Sequence, residues 1–223
     1  MSDALDPRWP KVLSLTVHEF RTPITVVQGY LRMLLSERGG AITEQQRRFL
    51  EEAAKSCGRL SALVDEMSEL SNLEAATLTF NRQPTDVRAA IRAAAAHLPP
   101  LPDREVPIDL HLGDSAAMVH GDPVRLTQAF TAVLAALRRE IITEAPLGVR
   151  EAPAADRTFE VHIGDPDALA ALAGGDRPVF DEWRGGVGLS LAVARRILEA
   201  HGGQLSAPPG GAKAGARVTL PLR

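Results

Sequence analysis

His18-Glu19-Phe20-Arg21-Thr22-Pro23-Ile24-Thr25 lies in the first turns of a heptad pattern, and that pattern decides the fold of the first third of the chain. Around it, apolar residues fall at Leu13, Val17, Phe20, Ile24, Val27, Leu31 and Leu34. The spacing alternates four and three, the seam of a coiled coil or antiparallel bundle. Arg38-Gly39-Gly40 predicts the end of this helix, with a glycine in the left-handed cap. Thr43, with Gln46 three residues on, reads as a capping box that starts a second helix. Phe49, Ala53, Leu60, Leu63, Met67 and Leu70 continue a seam there, with Ser56 at the remaining position. The expected fold is a helical hairpin with helices of roughly 25–30 residues, from the extent of the pattern. Two helices cannot enclose both seams, so a homodimer closing a four-helix bundle is expected.

Pro84 marks the passage to a second region, which divides the chain into 1–80 and 81–223. Asp86 to His97 is alanine-rich and reads as a helix ended by Pro99, Pro100 and Pro102. Val106 to Leu112 alternates like a strand. Asp122-Pro123 starts another helix, with proline at its first position, that runs to Arg139. Residues 144–157 are polar and proline-containing and read as a loop. Phe159 to Ile163 reads as a strand, Gly185 to Gly188 opens a helix reaching Ala200, and Arg217 to Leu222 reads as a last strand. Residues 85–223 therefore predict an α/β layer with helices on one face of a mixed sheet.

His18 follows Val17 on the seam, so it flanks the core and should face solvent. A neutral imidazole exists near physiological pH, which a nucleophilic ring nitrogen requires. Glu19 can orient one ring nitrogen or take its proton. Thr22, four residues after His18, shares its helical face and offers a hydroxyl. Pro23 removes one backbone hydrogen bond just beyond and should bend the helix. A lone exposed histidine on a long helix usually does nothing; the fixed company of Glu19, Arg21, Thr22 and Pro23 makes this one a candidate.

Charge and cysteine content exclude other classes. The chain of 223 residues carries a net charge of -3 and no basic run of the kind a nucleic-acid-binding helix needs. Its single cysteine, Cys57, rules out an internal disulfide framework and suits a reducing cytosol. The opening MSDALDPRWPKV has no charged segment leading into an apolar one, so no signal peptide is expected. No apolar run reaches the ~18 residues of a membrane span. His97, His111, His120, His162 and His201 show no metal-ligand spacing with one another or with Cys57.

HEFRTPIT, the hairpin that follows and the α/β region beyond resemble sensor histidine kinases over nearly the whole chain. The match is to their dimerisation and histidine-phosphotransfer domain followed by the ATP-binding catalytic domain. The resemblance implies His18 as phosphoacceptor and Glu19 as its acid/base residue. Glu19 and Thr22 match the E-x-x-T pattern used to dephosphorylate a partner receiver domain.

The catalytic half departs from the family pattern where ATP would bind. The family carries N-x-x-x-N on the helix after Asp-Pro, the second asparagine binding Mg²⁺; here those places are Ala132 and Ala136. Alanine offers no oxygen to a hard cation. The only asparagines are Asn72 and Asn81. In the family's D-x-G-x-G, Asp165 takes the adenine-contacting place, but Asp167 and Leu169 replace the glycines. The stretch from there to the next glycine motif is short for an ATP lid. Gly185-Gly186-Val187-Gly188-Leu189-Ser190-Leu191 keeps the final glycine motif, so Asp165, Gly186 and Gly188 are the candidate remnants of a nucleotide site. The expectation is a cytoplasmic His–Asp phosphotransfer protein without its own metal or ATP chemistry. Its expected partners are a receiver domain, a second copy and an upstream histidine kinase. The alternatives are a receiver phosphatase, a non-enzymatic regulator-binding module, and a divergent kinase that still uses ATP.

Overall fold

The computed structural model describes residues 9–155, 157–173, 178–183, 188–209 and 214–223. They form two compact units, Met1–Leu78 and Thr79–Arg223.

The first unit is the hairpin: α1, Trp9–Leu35, and α2, Glu44–Glu74. The capping box forms. Gln46 N donates to Thr43 Oγ1 at 3.2 Å, and Thr43 N donates to Gln46 Oε1 at 2.8 Å. Such a cap contributes about 1 kcal/mol to helix stability. The first helix stops earlier than its glycines suggest. Glu37 takes the left-handed conformation (φ 58), and Arg38 N bonds to Met33 O at 3.1 Å before Gly40 is reached. The carbonyls of the last turn are satisfied there, which is what a glycine cap would otherwise do.

The seam of α1 splits in two. Val17 is buried and Leu13, Ile24 and Leu31 are half-buried, whereas Phe20, Val27 and Leu34, spaced by seven, are exposed. On α2 the buried positions are Cys57, Val64 and Ser71; Phe49, Leu60 and Leu63, read from the sequence as seam, are exposed. The sequence-derived seam of α2 thus falls largely on its outer side. Each helix carries two apolar stripes, and one hairpin can cover only one of them.

The second unit holds β1 Gln83–Asp86, α3 Val87–Ala96, β2 Ile108–His111, β3 Met118–Gly121 and α4 Pro123–Glu140. It continues with β4 Leu147–Ala152, β5 Thr158–Gly164, α5 Pro166–Leu172, α6 Ser190–Ala200, β6 Gln204–Ser206 and β7 Gly215–Pro221. The main sheet has the order β2-β4-β5-β7-β6, with β2 parallel to β4 and the remaining pairs antiparallel; β1 and β3 form a separate antiparallel pair. Side chains alternate between the two faces. Val149, Val161, Ile163, Ala216 and Val218 are fully buried on one face, which α4 and α6 cover, and α3 packs against α4. From α4, Leu126, Phe130, Val133, Leu134 and Leu137 have no solvent exposure. Each such burial contributes about 1.5–3 kcal/mol relative to exposure.

Two expectations are corrected. Residues 147–152, read as loop, form strand β4 between β2 and β5. Gly148, Arg150 and Glu151 disguised the alternation. Arg150 is paired with Asp109 on β2, and Glu151 with Arg88 on α3. Helices also cover more than one face. Gly148, Gly164 and Gly215 are neighbours in register across β4, β5 and β7, and α5 lies on them. A Cβ at Gly164 would come within 2.9 Å of Ala168 Cβ and 2.6 Å of Ala214 O, so this row has no room for side chains. Arg217, on the same face, donates to Leu172 O at the end of α5.

Candidate functional site

α1 runs unbroken through Pro23 and presents His18 and Glu19 with side chains 81% and 72% exposed. Pro23 has no N–H, so the carbonyl of Glu19 loses its partner one turn earlier. His18 Nδ1 lies 3.6 Å from Glu19 Oε1, too far for a hydrogen bond. With Nδ1–H turned to that carboxylate, the lone pair of Nε2 faces solvent, the arrangement a nucleophilic imidazole needs. Thr16 and Thr25 tie their hydroxyls to the carbonyls of Val12 and Arg21, each at 2.8 Å. Thr22 makes no such bond among the described residues, which leaves its hydroxyl available one turn from His18. Arg21 Nη2 reaches across the hairpin to Asp65 Oδ1 on α2 at 2.8 Å. The structure thus brings His18, Glu19, Arg21, Thr22 and Pro23 together on one stretch of helix. Asp65 was not legible in the sequence, because nothing in the spacing says which α2 residue lies across from Arg21.

In the second unit, Asp165 Oδ1 accepts from Ala168 N at 2.7 Å and its own N–H bonds to Ala214 O at 3.1 Å. Its carboxylate is the N-cap of α5. Ala136 is fully buried in α4 and Ala132 is half-buried. Gly188 takes a left-handed conformation (φ 69) just before α6, while Gly186 lies outside the described residues. Phe180 is buried.

The start of α4 and the end of α6 are tied together by ionisable groups. Asp122 caps α4 and also accepts from Asn81 N at 2.9 Å. Burial pushes its carboxyl up, but backbone N–H groups of Arg125, Asn81 and Val124 outweigh this and hold it below its ordinary value. His201 Nε2 accepts from Asp122 N at 3.0 Å while Nδ1 bonds to Ile197 O at 2.7 Å, which fixes a neutral ring. Burial lowers its pKa, reinforced by Arg82. The Arg88 hydrogen bond holds Glu151 below the usual carboxylate range.

Residues 11–76 match the His Kinase A (phospho-acceptor) domain family. Across 92% of its length the chain is 30% identical to the signal transduction histidine-protein kinase BaeS of Escherichia coli, covering 45% of that protein. It is 28% identical to the circadian input-output histidine kinase CikA of Synechococcus elongatus over 86% of its length, covering 27% of CikA. It therefore spans less than half of either relative. Among solved structures, full-length ShkA in complex with AMPPNP superposes with a TM-score of 0.68 at 23% identity, covering 96% of this chain and 46% of that one. The Acinetobacter baumannii histidine kinase AdeS gives 0.56 at 22% identity, covering 92% of this chain and 98% of that one. The chain belongs to the sensor histidine kinase family.

The positions where the resemblance places the ATP and Mg²⁺ contacts are Ala132, Ala136, Asp165, Asp167 and Leu169. Ala136 is enclosed and has no oxygen to offer. Asp165 is committed to α5. Asp167 and Leu169, which take the glycine places of the D-x-G-x-G pattern, lie within α5. Among the described residues, no three His, Cys, Asp or Glu side chains form a group able to hold a metal ion. No described helix is long and apolar enough to cross a membrane.

Proposed function

We propose that this chain is a dimeric histidine phosphotransfer protein of the cytosol. It takes a phosphoryl group onto His18 from a partner kinase or receiver and exchanges it with an aspartate of a receiver domain, without making phosphohistidine from ATP. The observation that carries the reading is the contrast between the two units. The phosphoacceptor turn is intact and open, while Asp165 and Ala136 are absorbed into their own unit's packing. Exposed Phe20, Val27, Leu34, Phe49, Leu60 and Leu63 support the dimer, since a bundle of two hairpins would cover them.

In the forward step the receiver carboxylate forms a P–O bond as the P–N bond at His18 breaks, and the ring nitrogen keeps the electron pair. Glu19 holds Nδ1–H throughout, so the same tautomer serves loading and unloading. The receiver brings its own Mg²⁺, and the docked surfaces supply most of the catalysis by positioning. The free hydroxyl of Thr22 favours a second activity at the same place, in which it and Glu19 orient a water for receiver dephosphorylation.

The test is incubation of the purified protein with labelled Mg-ATP, and separately with labelled phospho-receiver. Label acquired at His18 from the receiver alone is expected. Label from ATP that disappears in His18→Ala would overturn the reading. Receiver phosphate released as inorganic phosphate, with no label on His18, would leave only the phosphatase activity.

A further inference from the structure

Arg21 lies three residues after His18, so the two side chains leave the same face of α1 about 5–6 Å apart at their Cβ atoms. Its guanidinium is held by a single contact, Nη2 to Asp65 Oδ1 at 2.8 Å, between side chains 54% and 69% exposed. Its remaining N–H donors have no partner among the described residues. A single-pronged ion pair this exposed contributes little, so it yields readily to a better acceptor. A phosphoryl group on His18 is that acceptor, since it brings about two negative charges and oxygens suited to bidentate guanidinium bonding.

We propose that Asp65 is a positioning residue for phosphohistidine chemistry. It holds Arg21 on α2 while His18 is bare, and yields it to the phosphoryl group once His18 is loaded. This rests on the reading of His18 as phosphoacceptor. The exchange sets how strongly the phosphoryl group is held. Loading breaks the Arg21–Asp65 pair, which offsets part of the attraction between Arg21 and the phosphoryl group, so the phosphorylated protein is kept ready to give the group up. It also makes occupancy of His18 visible on α2. The other charged group beside the imidazole, Glu19, is on its own helix and cannot report across the hairpin.

The test loads the full chain chemically with phosphoramidate: the ring nitrogen forms a P–N bond, the reagent's own P–N bond breaks, and ammonia leaves. The ³¹P resonance that is absent in His18→Ala is then titrated with pH. A guanidinium beside the phosphoryl group favours its dianion and lowers its second pKa. Asp65→Asn, which releases Arg21, should lower that midpoint by about half a unit, roughly a threefold change in the ionisation ratio. Arg21→Ala should raise it, and Asp65→Asn in the Arg21→Ala background should add nothing. Asp65→Glu should restore the wild-type value. An unchanged midpoint in Asp65→Asn, an equal shift without Arg21, or no His18-dependent resonance would each overturn the proposal. A chemically loaded His18 with the expected Arg21-dependent shift that exchanges nothing with any receiver would sink the proposed function and leave the Asp65–Arg21 exchange standing.

Discussion

The hairpin and the α/β unit treat their polar and apolar groups in opposite ways. In the hairpin, His18, Glu19, Arg21 and Thr22 are exposed, and half of each apolar seam is bare. In the α/β unit, Asp165, Asp122 and His201 are bonded into helix ends, and the apolar face of the sheet is closed. The hairpin leaves apolar and polar surface open, whereas the α/β unit closes over its own. On the proposed reading, the fold of the α/β unit is kept while its nucleotide chemistry is not.

The sharpest way to break this contrast is at His18. His18→Ala should reduce phosphoryl exchange with a receiver by roughly 100-fold or more, because it removes the ring nitrogen that carries the phosphoryl group. If exchange persists, the hairpin is not the reactive half. Next in size is the open seam. Val27→Asp places a charge on the bare stripe and should turn a dimer into a monomer at micromolar concentration, read by sedimentation; an unchanged dimer would put the interface elsewhere. Within the closed unit, Gly164→Ala should cost about 1–3 kcal/mol, because backbone Ala214 O and Ala168 Cβ must move, and chemical denaturation would measure it.

Smaller effects concern the ionisable groups at helix ends. Asp122→Ala should destabilise the α/β unit by about 1–2 kcal/mol through the loss of the α4 cap. Asp122 and Glu151 have folded pKa values below their unfolded ones. Their stabilisation is complete above the ordinary carboxylate range and is lost as pH falls through the folded values. His201, also lowered, starts to act higher. The folded unit resists its protonation, so stability should begin to fall as pH drops below the ordinary 6.5. Tm followed from pH 8 to pH 4 should show this first decline, at about pH 6.5 by the unfolded pKa, vanishing in His201→Gln. A decline that survives the substitution would place the acid sensitivity elsewhere.

The sequence revealed what depends on local order. The two helices of the hairpin, the Thr43–Gln46 box and the Asp122-Pro123 start each appear where the residues predicted them, since a helix and its cap are made by neighbours along the chain. Strand β4 was hidden, because Arg150 and Glu151 look like loop residues until Asp109 and Arg88, some forty to sixty positions away, are seen to pair with them. The orientation of α2 was hidden for a related reason. Phe49, Leu60 and Leu63 make the stronger apolar stripe, and pattern alone cannot say whether that stripe meets α1 or a second copy. At the site, His18, Glu19 and Thr22 were legible as a motif on one helix, while Asp65 required the antiparallel register.

The enclosure of Ala136, the Asp165 cap and the glycine row under α5 together bear on reversibility. On the proposed reading, a lineage gaining a nucleotide site here would have to fit an amide where a methyl group now fills the space, free Asp165 from a helix and dismantle that helix. Each change alone lowers stability and gives no nucleotide contact until the others are made. Single substitutions thus lead uphill in every order, and on the proposed reading the α/β unit works as a ratchet that holds the chain to phosphate supplied from outside.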